Sequence, residues 1–104
     1  MKSEDFEMTR EKAPGIAKFI LKGRVNSMSS EEFQYKLEEA LNNGEKHIVL
    51  NMLRVEYLSS AGIRVILKAY KEAAEAGGKL EIQMPSESVK NVLGMTALDE
   101  MLIN

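Results

Sequence analysis

The segment Tyr57-Leu58-Ser59-Ser60-Ala61-Gly62-Ile63-Arg64 carries the chain from an apolar stretch into an amphipathic one through two serines. Upstream of it, His47 to Met52 holds Ile48, Val49 and Leu50 in an unbroken run, the pattern of a strand covered on both faces. A loop is expected from there through Tyr57. Downstream, Ile63, Ile66, Leu67, Tyr70 and Ala74 recur at spacings of three and four, which predicts one face of a helix stopping at Gly77-Gly78. Ser59 or Ser60 can cap that helix. From Lys79 to Met84 the chain alternates, with Leu80, Ile82 and Met84 set against Lys79, Glu81 and Gln83, as in a strand with one solvated face. Strand, helix and strand in this order imply a parallel pair joined by a right-handed crossover.

Working outward, Phe6 to Thr9 suits a short edge strand, and Pro14-Gly15 marks a turn. Between Gly15 and Lys22, Ala17, Phe19 and Leu21 point one way, while Lys18, Ile20 and Lys22 point the other, so a second strand is expected. Gly23 to Ser29 is polar and reads as a loop. Ser29 or Ser30, with Glu31 or Glu32, suggests a capping box for a helix whose inner face is Phe33, Leu37, Ala40 and Leu41, ended by Asn43-Gly44. Beyond Pro85, Ser86 caps a further helix carrying Val89, Val92 and Leu93, ended by Gly94. A last turn holds Leu98, Met101, Leu102 and Ile103. The expected architecture is α/β, a mixed and mainly parallel sheet of four to five strands with helices packed on it.

The 104 residues suit one domain over 1–104, able to bury a normal core. There is no cysteine, so disulfides and thiolate metal sites are excluded. The formal charge is −2 with acids and bases interspersed, which disfavours direct nucleic-acid binding. Met1 to Lys12 is charged and does not read as a signal peptide. The apolar runs are too short to span a bilayer, so no membrane is expected and the cytoplasm is the expected location.

Enzymatic readings fare poorly. The lone histidine, His47, begins a strand and lies at the far end of it from Ser59 and Ser60, over ~15 Å away even for a strand of about five residues. A serine triad is therefore not assembled, and no catalytic residue is assigned. No Gly-rich phosphate loop occurs, and no metal-ligand spacing or cofactor motif is present. The methionines are scattered among apolar positions and are expected to serve as core filler.

The segment from Tyr57 to Arg64 stands out on physical grounds. It lies at the carboxyl end of an expected parallel strand, where open α/β sheets place binding surfaces. Ala61 and Gly62 are small enough for another protein to approach closely. A helix start also accommodates an added phosphate.

The stretch from Leu58 to Leu67, LSSAGIRVIL, resembles the signature of STAS domains, the sulfate-transporter and anti-sigma-antagonist family. Gly23-Arg24-Val25-Asn26 resembles the family's loop before its first helix, and Val49-Leu50-Asn51-Met52 its central strand. Gly77-Gly78-Lys79-Leu80 resembles the return into the next strand, and Val92 to Leu98 a late helix-turn segment. The resemblance implies an anti-sigma factor antagonist. Such a protein binds an anti-sigma factor, often a serine protein kinase, and frees a sigma factor. Phosphorylation by the kinase ends the complex, and a phosphatase of the PP2C type reverses it. Carried over, the acceptor is Ser60, with Ser59 second. The partner-binding residues are Asn26, Ser27, Ser59, Ser60, Ala61, Gly62 and Arg64, and the chain is expected to act as a monomer. Two departures stand out: Asn26 and Ser59 occupy positions where family members commonly carry aspartate. The alternative implied is a STAS subunit of a larger assembly, such as a transporter or stress-signalling complex, that binds constitutively.

Overall fold

The computed structural model describes residues 5–103; the reading of Met1 to Lys12 lies partly outside them. The elements are β1 (Phe6–Glu11), β2 (Ala17–Val25), α1 (Ser30–Asn42), β3 (His47–Leu58), α2 (Ser60–Glu75), β4 (Lys79–Gln83), α3 (Glu87–Met95) and α4 (Asp99–Leu102). The four strands form one sheet in the order β1-β2-β3-β4. β1 pairs antiparallel with β2, while β2, β3 and β4 run parallel. The fold is the expected mixed α/β sheet, with an isolated parallel bridge from Ile82 to Ile103 outside the named strands.

Register explains the core. Ala17, Ile48 and Leu80 are in line across β2, β3 and β4, as are Phe19, Leu50 and Ile82. All six are buried and join one cluster with Phe33 and Leu37 of α1, Ile66 of α2, Leu93 of α3 and Leu102 of α4. Each large side chain buried there stabilises the fold by roughly 1.5–3 kcal/mol. The opposite face of the sheet carries Lys18, Val49 and Glu81 in line. Val49 is buried among its neighbours yet stands outside the core cluster. Among the described residues, no helix is long and apolar enough to cross a membrane.

Six local expectations are corrected. β2 does not end at Lys22 but runs through Gly23 and Arg24 to Val25, which is fully buried opposite Leu58. β3 does not give way to a loop after Met52 but continues to Leu58. Register shifts at Ile20/Lys22 and Gly23/Arg24 hide both extensions. They place Met52, Val55 and Leu58 inward at intervals of three, so the two-residue period breaks. Gly23 is needed there, since it has φ +96 and an added Cβ would lie 1.9 Å from the Asp5 carbonyl oxygen.

α2 buries Gly62, Val65, Ile66, Ala69 and Ala73, while Ala74 is exposed and Ile63, Leu67 and Tyr70 flank. The small residues let the helix sit close to the sheet, and the large ones close its sides. No capping box forms at α1, because the Ser29 hydroxyl is turned to the preceding backbone. Met84 leaves β4 with φ +51 and is exposed. Gly94 lies inside α3, and the positive φ beyond that helix falls on Ala97 at +58.

Candidate functional site

Ser59 adopts extended backbone angles, φ −86 and ψ 171, just before α2. Its hydroxyl accepts the Gly62 N–H at 3.2 Å, and its carbonyl accepts the Ile63 N–H at 3.0 Å. Ser59 is therefore the N-cap. Its own N–H donates to the Val25 carbonyl at 2.8 Å, which ties the start of α2 to the end of β2. Ser60 is the first helical residue and is exposed. Among the described residues nothing hydrogen-bonds its hydroxyl. The first amides of a helix lack internal acceptors, and with Gly62 and Ile63 satisfied through Ser59, the amides of Ser60 and Ala61 remain at this end. The helix dipole gives them a positive field.

The loop from Asn26 to Ser29 is held beside this helix start. The Asn26 Oδ1 accepts from the Met28 N–H at 3.0 Å and the Ser29 N–H at 3.1 Å, an Asx-type turn. The Ser29 hydroxyl is fully buried, donating to the Arg24 carbonyl at 2.7 Å and accepting the Asn26 N–H at 2.9 Å. Ser27 and Met28 are left exposed on the outside of the turn. Asn26, Ser27, Ser59, Ser60 and Ala61 thus gather at the carboxyl ends of β2 and β3. Arg64 is exposed one turn further along α2. It lines a cleft of about 200 Å³ between α1 and α2 with Ser30, Gln34, Ala61, Val65 and Lys68.

Gly62 is placed differently from its neighbours. It is buried, and a Cβ there would lie 2.6 Å from Val25 Cγ1 and 2.8 Å from Leu58 Cδ1. Its smallness serves the chain's own packing. Two residues that sequence reasoning missed border the patch. Met28 is 73% exposed, and Tyr57 is exposed with the Arg24 guanidinium 4.6 Å from its ring centroid. An apolar residue inside a polar loop was the available signal for Met28.

His47 stays far from these serines. The 12 residues of β3 separate them by a distance on the order of 30 Å. The His47 Nε2 faces Glu81 at 3.7 Å. A cavity of about 540 Å³ lies at that end, lined by Gly15, Gly44, Lys46, His47 and Gly77 among others. It is bounded by the carboxyl ends of α1 and α2, whose carbonyls disfavour anions. Among the described residues, no three His, Cys, Asp or Glu side chains cluster for a metal.

The family model for the STAS domain matches residues 7–104. The chain is 35% identical to BtrV of Bordetella bronchiseptica, a candidate anti-sigma factor antagonist, over 71% of this chain and 64% of that protein. The match therefore spans less than two thirds of that relative's length. It is 26% identical to the anti-sigma F factor antagonist of Paenibacillus polymyxa, over 85% of this chain and 76% of that one. The solved structure of the Bacillus anti-sigma factor antagonist SpoIIAA, in its unphosphorylated form, superposes with a TM-score of 0.83 at 20% identity. That superposition covers 94% of this chain and 86% of the other, and it shows a shared fold. With residues 7–104 matched, the chain belongs to the STAS domain family.

Proposed function

We propose that this chain is an anti-sigma factor antagonist, acting in the cytoplasm as a monomer. It captures an anti-sigma factor on the patch formed by Asn26, Ser27, Ser59, Ser60 and Ala61, and so releases a sigma factor. The observation that carries this reading is the free, exposed Ser60 hydroxyl at the first position of α2. The names carried by the relatives from Bordetella and Paenibacillus support it.

An anti-sigma factor of the serine kinase type transfers the terminal phosphoryl group of a nucleoside triphosphate to the Ser60 oxygen, which gives up its proton. A phosphatase of the PP2C type hydrolyses the ester to inorganic phosphate and restores the hydroxyl. The added charge, about −1.5 to −2, sits comfortably at a helix start but has to be desolvated by anything packed over it. A change of about 3 kcal/mol weakens binding more than a hundredfold. The switch is local electrostatics, with no change of fold.

Affinity capture from extracts of the producing cells tests this. Wild type and Ser60→Ala are expected to retain an anti-sigma factor that Ser60→Asp loses. Equal retention by all three overturns the switch. The second reading, a constitutive subunit of a larger assembly, draws on Asn26 and Ser59, whose neutral side chains are both spent on local backbone. Intact mass of the native protein separates the two readings: a phosphate on Ser60 favours the first, and none under any condition the second.

A further inference from the structure

Ser60 and Arg64 stand four residues apart on α2, so their Cβ atoms lie about 5–6 Å from each other on one helix face. Both are exposed. Among the described residues Arg64 makes no ion pair and no side-chain hydrogen bond. The other groups of the α1/α2 cleft are committed. Lys68 pairs with Glu38 at 3.4 Å, and the Gln34 amide donates to the same carboxylate at 3.4 Å. The Ser30 hydroxyl donates to the Ser27 carbonyl at 2.9 Å. Among the described residues, Arg64 is therefore the uncommitted cation of the cleft and the cation nearest Ser60 along the helix. Lys68, eight residues from Ser60, is about 12 Å along the axis and already neutralised.

We propose that Arg64 holds a phosphate on Ser60 within the domain itself, drawing its guanidinium across the mouth of the α1/α2 cleft. The inference rests on reading Ser60 as the modified residue, and it deepens that reading by naming the side chain that responds. A guanidinium is suited to this, since its planar fork matches two phosphate oxygens at once and never deprotonates. Modification then alters the docking patch twice. It adds negative charge at Ser60, and it takes the Arg64 donors away from a partner's acceptor. Arg64 is a positioning residue for the switch: it is free to meet a partner when Ser60 carries a hydroxyl, and occupied when Ser60 carries a phosphate.

The test needs no partner. The full chain is prepared with phosphoserine installed in place of Ser60, and the second ionisation of the phosphate, ordinarily near pH 6, is followed by phosphorus NMR. A nearby cation favours the dianion, so the midpoint is expected a few tenths of a pH unit lower with Arg64 than with Arg64→Gln. Arg64→Lys is expected to recover part of the shift, and high salt to remove most of it. Identical midpoints for Arg64 and Arg64→Gln overturn the proposal and assign any remaining shift to the helix start. Because the phosphate is installed chemically, this failure is distinct from failure of the capture experiment, which asks whether Ser60 governs docking at all.

Discussion

At position 59 the hydroxyl accepts a backbone N–H, and at position 60, among the described residues, it accepts none. Ser59→Ala is therefore expected to cost about 1 kcal/mol, the usual loss for an N-cap. In a domain of this size that lowers Tm by roughly 4–8 °C. Ser60→Ala is expected to stay within about 0.5 kcal/mol of wild type, as exposed substitutions generally do. Differential scanning calorimetry of the two variants checks the assignment, and a larger loss from Ser60→Ala would reverse it. The sequence narrowed the cap to these two residues but could not choose between them, because the choice depends on the extended backbone angles at Ser59. Gly62 was legible as small and misleading as to use. Its missing side chain makes room for Val25 and Leu58, and those contacts depend on strand ends that the sequence pattern blurred.

Within α2, Ala73 faces the sheet and is fully buried, whereas Ala74 is exposed. Ala73→Leu is expected to destabilise by about 1–3 kcal/mol through overpacking, and Ala74→Leu to be close to neutral. Urea titrations of both variants test the phase of the helix directly. The three-and-four spacing revealed that a helix was present, but large flanking residues pulled the inferred core face one position off. The ends of β2 and β3 were lost for another reason, since bulges replace alternation with a three-residue interval there.

β1 is tied to the turn after α1 by a bidentate pair between Arg10 and Glu45. The hydrogen bond from Arg10 holds the Glu45 carboxyl below its ordinary range, against a small opposing effect of burial. A depressed folded value means that this contribution is complete above the unfolded carboxylate value and is lost as pH falls through the folded one. Stability measured across the acid limb is expected to fall less steeply in Glu45→Gln than in wild type. Unchanged slopes would show that the pair adds nothing.

Across the whole molecule, the mixed and mainly parallel character of the sheet followed from the alternation of strand and helix, while the order of its strands comes from the structure alone. Ile48, Val49 and Leu50 read as covered on both faces, and all three are buried, although Val49 stands outside the core cluster. β3 lies between two partners, while β1 has a single one. Hydrogen exchange is accordingly expected to be slowest at Ile48 to Leu50 and faster by orders of magnitude in β1, whose edge opens without global unfolding. Uniform protection across the sheet would contradict this ordering.

The bond from Ser59 to Val25 and the locked hydroxyl of Ser29 join the two halves of the patch into one piece of scaffold. The partner proposed above thus meets a surface already in its final shape, and binding there is expected to cost little entropy in arranging it. For the proposed complex, encounter rate is then governed by diffusion and charge, and differences in affinity between variants of the patch are expected mostly in the lifetime of the complex.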